Sequence, residues 1–364
     1  MDCRLKKVLP LFAASLVIFT SVANAADDMQ MRNLENRVSA LEQRRGSNGM
    51  INPSARPVVK EGYDFWLQGE ALYMHASEDG LGYVSESSSS SIVNGRVKNA
   101  SYDWSWGFRA GAGMNMPHDG WDLFANWTWF HTHDHNNRTA DAGEVLLPNF
   151  LNTNNSQSAN VATHANSKLH LRINMLDIEL GREFFVSKWL TLRPHFGGRA
   201  AWLHRDFDTE YSGGTFTANT ELSEKTKNRY RGAGVRGGFD TQWGLGSGWS
   251  FFGQMAFSLL YGHQHVNLES HSKVVTTGVI TPTITAHDNW GAVRAVTDLA
   301  FGLRWDQLFS NDAYRIRLQA GWEQHMFFSF NQNNSFISSS NGVFVGNKGD
   351  LSFSGASFQA RFDF

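Results

Sequence analysis

Charged side chains at every second residue are the clearest candidates for chemistry in this chain. Acids occupy alternate positions between residues 176 and 184, and bases do so between residues 192 and 205. Side chains two residues apart lie on the same face of an extended strand, so each segment predicts one charged face and one apolar face. The charged positions are Asp177, Glu179, Glu183, Arg193, His195, Arg199 and Arg205.

A turn predicted at residues 186–188 would join the two segments as a hairpin and bring Glu179 opposite His195. Two later segments repeat the pattern and are predicted to face the same interior, with charged positions Arg294, Asp298, Arg304, Arg315, Arg317, Glu323 and His325. These positions could line an ion pathway, because fixed charges in a confined channel set the local ion concentration. They could equally form a salt-bridged filling that stiffens a narrow barrel, and the sequence leaves both interpretations open.

Three histidines at every second residue, His131, His133 and His135, would lie on one face of a strand and could hold a divalent metal ion. The alternative is a solvated segment rich in hydrogen-bonding side chains. No orienting partners can be identified nearby, so we assign no metal and no cofactor. Adjacent His and Asp residues point to opposite sides of a strand, and the chain has no Gly-x-Ser-x-Gly motif. We therefore do not expect an enzyme.

The elements that position these residues belong to a secreted chain. It begins with the parts of a secretory signal: basic residues, an apolar run from Val8 to Phe19, and the small-x-small site Ala23-Asn24-Ala25. We predict a signal peptide over residues 1–25. No later stretch approaches ~20 uninterrupted apolar residues, so no membrane-spanning helix is predicted.

The mature composition excludes several functions. Loss of the signal removes one acid and three bases and leaves 29 Lys and Arg against 33 Asp and Glu, a formal charge of -4. Such a balance does not suggest a nucleic-acid partner. The only cysteine, Cys3, belongs to the signal, so disulfides and thiol chemistry are excluded from the mature chain.

From Tyr63 to the end, apolar and polar residues alternate in ten segments that predict strands. They lie at about 64–76, 102–116, 121–131, 168–185, 189–206, 229–243, 249–262, 289–308, 313–328 and 350–364. Short connections at 117–120, 186–188, 244–248 and 310–312 alternate with long polar ones at 77–101, 132–167, 207–228, 263–288 and 329–349. This asymmetry predicts an all-β fold over residues 63–364: an antiparallel transmembrane β-barrel of ten to twelve strands with short periplasmic turns and long extracellular loops. A soluble β-sandwich would explain the alternation but not the asymmetry.

Aromatic residues flank the short turns and predict an interfacial girdle, since aromatic rings favour the membrane–water boundary. They are Trp121, Phe184, Trp189, Trp243, Trp249, Phe309 and Tyr314. The last strand places Phe362 and the terminal Phe364 on its apolar face, which resembles the signal that outer-membrane proteins present to the barrel assembly machinery. We therefore predict residence in the bacterial outer membrane, with its lipid and that machinery as partners.

A short coiled-coil helix is predicted over residues 26–45, followed by a linker over 46–62. Leu34, Val38 and Leu41 form an apolar seam, and Arg37 and Glu42 flank it in a pattern that resembles the trimer-specifying motif of short coiled coils. We expect a homotrimer held partly by this periplasmic helix. The alternative is a lone amphipathic helix, because so short a segment is marginal by itself.

Three stretches carry a resemblance to known proteins: INPSARPVVKEGYDFWLQGEALYMHASEDGLGY (51–83), LDIELGREFFVSKWLTLRPHFGGRAAWLHRDF (176–207) and YRGAGVRGGFDTQWGLGSGWSFFGQMAFSLLYG (230–262). With the last strand, they resemble the major outer membrane proteins of Legionella-type bacteria and their relatives among Chlamydia-related bacteria. The resemblance implies an abundant surface porin with roles in envelope integrity and host contact. Chlamydial members cross-link through many cysteines, which this mature chain lacks.

We expect a porin that passes small hydrophilic solutes and ions. The alternative is a barrel whose lumen is closed by its own charges and whose Ser- and Asn-rich loops work as an adhesin for a host-cell receptor, or serve a structural role in the envelope.

Replacing Leu34, Val38 and Leu41 with Ser should weaken the trimer and leave the barrel folded, since the linker separates the two. Cross-linking in membranes should trap wild-type trimers and few trimers of this variant. A control with Asn33, Asn36 and Gln43 changed to Ser, away from the seam, should cross-link as the wild type does. Only monomers in the wild type would rule out the trimer.

Overall fold

The fold is that of a computed structural model, which describes residues 32, 35–36, 54–56, 59, 64–88, 95–116, 119–149, 161–216, 220–338 and 343–364. Strands account for most of them. In chain order they are β1 (Phe65–Glu78), β2 (Gly82–Ser87), β3 (Val97–Asn99), β4 (Ser105–Asn115), β5 (Trp121–Thr139), β6 (Val145–Pro148), β7 (His164–Arg182), β8 (Phe184–Phe185), β9 (Leu190–Ser212), β10 (Thr220–Gly246), β11 (Trp249–Val274), β12 (Ile280–Phe309), β13 (Tyr314–Ser338) and β14 (Val343–Asp363).

Ten of these strands close into an antiparallel barrel. The strands β1, β4, β5, β7 and β9 to β14 each pair with their neighbours in that order. β1 closes the ring by pairing with β14 from Trp66↔Asp363 to Glu78↔Leu351. β8 adds to β9 at the periplasmic end, while β3, β2 and β6 form a separate small sheet. The prediction of a barrel with at least ten strands is confirmed.

The outer face of the barrel is apolar over a band that ends in aromatic residues on both sides. Trp189, Trp243, Trp249, Phe309 and Tyr314 are exposed beside the periplasmic turns, as predicted. A second exposed set lies toward the extracellular ends: Tyr73, Trp104, Trp106, Trp127, Trp202, Tyr261 and Trp322. Exposed rings at both limits of an apolar band are typical of a barrel that faces lipid. Among the described residues, no helix is long and apolar enough to cross a membrane.

The strands extend farther on the extracellular side than predicted. β9 and β10 stay paired out to Ser212↔Glu221, and β11 and β12 out to Lys273↔Ile280. Much of the predicted loops at 132–167, 207–228 and 263–288 is therefore strand. Beyond the lipid the outward face of the strands contacts water, so these segments are rich in Ser, Asn, Thr and His. Their composition therefore indicates contact with water and not the absence of strand pairing.

The predicted register between β7 and β9 is wrong by two residues. Val186 donates its N–H to the carbonyl of Leu190 over 2.9 Å, which moves the turn to residues 187–189. Glu179 consequently lies opposite Gly197, and Gly181 lies opposite His195. A two-residue slip keeps every side chain on its own face, so the charged face predicted for each strand persists.

The N-terminal region is described at only a few positions. Arg32, Glu35 and Asn36 are helical, and Arg32 Nη1 lies 2.6 Å from Asp312 Oδ1 at the turn between β12 and β13. The signal peptide and the predicted trimer contacts Leu34, Arg37, Val38, Leu41 and Glu42 lie outside the described residues and stay predictions.

Part of the predicted linker lies against the barrel. The backbone of Ser54 forms a bridge with Phe184, and Ala55 donates its N–H to the carbonyl of Glu183 over 3.0 Å. Residues 54–56 of the predicted linker thus touch the periplasmic end of the barrel.

Candidate functional site

Inward-facing side chains divide the barrel lumen into three levels. The periplasmic level is a charged chamber, a cavity of about 150 Å³ lined by residues of all ten barrel strands, nine of which contribute acids or bases. Above it lies an apolar layer, and above that an upper polar cluster. The chamber and the upper cluster are separated by the apolar layer.

Twelve of the fourteen predicted lumen positions line the charged chamber: Asp177, Glu179, Glu183, Arg193, His195, Arg199, Asp298, Arg304, Arg315, Arg317, Glu323 and His325. The other two, Arg205 and Arg294, are buried beyond the apolar layer. The structure thus brings most of the predicted set together and splits off two members. Their role in lining a conducting path stays a prediction.

Asp298 is the centre of the main ion-pair network in the chamber. Arg199 forms an ion pair with Asp298 over 2.8 Å. It also donates two hydrogen bonds to the carboxylate of Asp177, over 2.6 and 2.8 Å. Arg236 contacts Asp298 as well, and the Nδ1 atom of His325 lies 2.7 Å from it. Asp298 is 6 % exposed, so its charge is balanced by three partners rather than by water.

A second network joins the opposite wall to this centre. Arg109 on β4 binds Glu70 on β1 over 2.7 Å and Glu323 on β13 over 2.9 Å. The Nε2 atom of His325 lies 3.2 Å from Glu323, so His325 links the two networks. Side chains from across the lumen therefore hold one another, and the chamber is braced as well as charged.

The periplasmic end of the chamber carries a third network. Asp306 accepts hydrogen bonds from Arg315 over 2.5 Å and from Arg317 over 2.8 Å. Arg315 also forms an ion pair with Asp363, on the last strand, over 3.0 Å. Arg56, from the predicted linker, also lines the chamber and donates to the carbonyls of Met116 and Trp121.

Sequence reasoning missed several members of these networks. They are Glu70, Arg109, Asp122, Arg236, Asp240, Asp306, Arg361 and Asp363. Three of them, Glu70, Arg109 and Arg236, are each the single charge in a stretch with Gly and Ala, so no repeated charge drew attention to them. The usable signal was their spacing, since each keeps the parity of the other inward-facing positions on its strand.

The apolar layer closes the lumen above the chamber. Its members are at most 2 % exposed: Leu72, Met74, Phe130, Leu171, Ile173, Leu203, Tyr230, Leu260, Val296, Phe327 and Phe353. Phe353 stacks on Phe130 at 5.7 Å, lies 6.2 Å from Phe327, and stacks on His325 of the chamber at 4.7 Å. The apolar layer therefore interrupts the charged lining of the lumen. An ion pathway lined by charge along its whole length, one of the two interpretations of the sequence, is not what the structure has.

The upper polar cluster is centred on Arg205, which is fully buried. Its Nε atom lies 3.3 Å from Glu78, and its Nη2 atom donates to Asn331 over 3.0 Å. Tyr102 donates its hydroxyl to Glu78 over 2.8 Å. The second split-off residue, Arg294, donates to Gln264 over 3.1 Å. Hydrogen bonds of this kind offset the cost of burying charge.

Glu224 stands apart from these networks on the extracellular extension of β10. It is 4 % exposed, and its Oε1 atom has no hydrogen-bond partner among the described residues. Burial raises the pKa of Glu224 to about 8, so the carboxyl is mainly protonated at neutral pH.

The predicted histidine row lies on the outer face of β5. Rings of His131 and His133 are 6.2 Å apart, and His133 stacks on His170 of β7 at 5.8 Å. Within the described part of the chain, no group of three or more His, Cys, Asp or Glu side chains is arranged to hold a metal ion. The strand geometry expected for this row is present.

Replacing Asp298 with Asn should destabilise the barrel, because Arg199, Arg236 and His325 would face one another without their shared anion. Removing one partner of a buried ion pair costs ~3–5 kcal/mol. Thermal unfolding in detergent, followed by circular dichroism, should show a lower midpoint. The control Asp288→Asn, at an exposed position of the same strand, should unfold as the wild type does. Equal midpoints for the two variants would contradict the central role of Asp298.

Comparisons with solved structures find other barrels of the outer membrane. The outer membrane protease OmpT from Escherichia coli is 7 % identical, with 84 % of this chain and 97 % of that chain covered and a TM-score of 0.37. The translocator domain of the autotransporter NalP from Neisseria meningitidis is 12 % identical, with coverage of 94 % and 97 % and a TM-score of 0.31. A major outer membrane protein from Thermus thermophilus is 8 % identical, with coverage of 82 % and 99 % and a TM-score of 0.26. Scores this low support no argument about activity.

The family comparison is more specific. None of the curated proteins matches the chain. The family described as the Legionella pneumophila major outer membrane protein precursor matches residues 55–364, which include all ten barrel strands and the segment at the periplasmic mouth. The chain therefore belongs to the Legionella major outer membrane protein family and resides in the bacterial outer membrane.

Proposed function

We propose that the protein is a porin for small hydrophilic solutes and ions whose path is closed at rest by the apolar layer. The observation that carries the proposal is the charged chamber, which occupies the periplasmic half of the lumen. No catalytic activity is part of the proposal.

The filling of the lumen supports this choice over a purely structural barrel. Buried ion pairs are often no more stabilising than apolar residues of similar volume. The same chain fills the next level of its lumen with Leu, Ile, Met and Phe, so charge is not required to fill a barrel of this width. A charged lining is explained if the chamber takes up water and ions as part of a path.

The apolar layer would act as the gate of that path. Apolar constrictions close channels because water withdraws from them, and an ion loses its hydration shell only at a large cost in free energy. Phe353 lies where the layer meets the chamber, in contact with His325 below and with Phe130 and Phe327. Displacement of a few such side chains would connect the chamber with the polar cluster above.

A second candidate is a permanently closed barrel. It would act as an adhesin through its extracellular loops, or it would serve a structural role in the envelope. The complete burial of the apolar layer favours it. Under this candidate the charged chamber would serve only as bracing.

Planar-bilayer recording of the purified wild type, Phe353→Ala and Phe358→Ala separates the two candidates. Phe358 lies on the same strand and is 52 % exposed toward lipid, so it is a matched control. The porin proposal predicts brief wild-type openings, openings at least tenfold more frequent in Phe353→Ala, and wild-type behaviour in Phe358→Ala. A wild type that inserts and never conducts at any voltage would reject the porin and leave the closed barrel.

A further inference from the structure

The outward face of four neighbouring strands changes from apolar to basic at the extracellular edge of the lipid band. On β9, β10 and β11 the last apolar outward residues are Trp202, Ala233 and Tyr261. The next outward residues toward the extracellular side are His204, Arg231 and His263. The polar headgroup layer of a membrane begins where the apolar band of the protein ends, so these side chains lie at headgroup level.

Strand pairing joins these residues to others of the same kind. Arg172 on β7 lies opposite His204, which lies opposite Arg229 on β10. Arg229 and Arg231 in turn lie opposite His265 and His263 on β11. Directly opposed residues have Cβ atoms about 5 Å apart, so the side chains form one continuous surface. We call this surface the basic belt: Arg172, His204, Arg229, Arg231, His263 and His265.

The guanidinium groups of the basic belt are unused by the protein. Arg172, Arg229 and Arg231 are exposed, and none has an ion pair or hydrogen bond within the described residues. The nearby acids do have partners, since Asp206 contacts His204 over 3.2 Å and Asp208 binds Lys225 over 3.0 Å. In the lumen, by contrast, arginines are paired with acids or amides.

At this height the outward arginines lie on one side of the barrel. On the opposite wall, the outward positions beyond the apolar band include Gln324 on β13, Ser352 and Ser354 on β14, and His75 on β1. General solubility would not require such an asymmetry. A partner with localised negative charge would explain it.

We propose that the basic belt binds the phosphate groups of lipid A, the phosphorylated glycolipid of the outer leaflet. Arginine binds phosphate through two parallel N–H bonds, which makes it well suited to this headgroup. Arg229 and Arg231 lie on one face of β10, about 7 Å apart along the strand, so both can reach a single phosphate. Trp202 and Tyr261 lie directly below, where the acyl chains meet the sugars. The proposal holds whether or not the lumen conducts.

Retention of lipid A by the purified protein, measured by native mass spectrometry in detergent, tests the proposal. The wild type should retain bisphosphorylated lipid A at least tenfold more than dephosphorylated lipid A. The variant Arg229→Gln/Arg231→Gln should retain at least tenfold less of the bisphosphorylated lipid. A control that loses the same charge elsewhere, Lys98→Gln/Lys273→Gln, should bind as the wild type does.

Equal retention by the wild type and the Arg229→Gln/Arg231→Gln variant would overturn the proposal. So would equal retention of the two lipids by the wild type, since binding would then depend on acyl chains alone. Both arginines are exposed and unpaired, so the variant should keep its fold, which circular dichroism checks. If that variant does not fold, Arg172→Gln tests the same belt from β7, with at least threefold weaker retention expected and equal retention contradicting the proposal.

Discussion

The need to satisfy every backbone hydrogen bond in lipid governs this structure. The bilayer core contains no water that could bind free N–H and C=O groups, so a sheet that crosses it must have no open edge. The pairing of β1 with β14 meets that requirement. Closure also fixes which side of each strand faces inward, because side chains alternate strictly between lipid and lumen. Charges in the spanning region are therefore placed in the lumen, where other charges are their nearest partners.

Ten strands enclose a narrow space, and the chain fills that space in two different ways. At the periplasmic level it uses ion pairs, with Asp298 and Arg199 at their centre. One level higher it uses apolar side chains that exclude water almost completely. The two fillings meet at the stacked rings of His325 and Phe353. A charged chamber and an apolar layer thus adjoin in one lumen, where the rings of His325 and Phe353 lie 4.7 Å apart.

The sequence predicted the strands and the inward charges because both depend on a period of two and on the cost of charge in lipid. It did not predict the apolar layer. On β7 the inward residues are Asp177 and Glu179 near the periplasm but Leu171 and Ile173 farther up, where Arg172 is exposed on the outer face. The polarity of the two faces inverts at Met175 and Leu176, which are adjacent and both apolar. Alternation separates the two faces of a strand but does not show which face is polar at a given depth. The polar face points into the lumen within the lipid band and outward beyond it.

Labelling of single introduced cysteines can show whether the apolar layer closes the lumen. The only native cysteine, Cys3, lies in the predicted signal peptide, so introduced thiols have no background. A small membrane-impermeant maleimide would be added to intact cells whose general porins are deleted. Asp141→Cys, at an extracellular position whose side chain is 79 % exposed, should react quickly. Thr191→Cys, in the charged chamber, should react at least tenfold more slowly until the outer membrane is permeabilised. Equal rates at the two positions in intact cells would contradict the closed lumen.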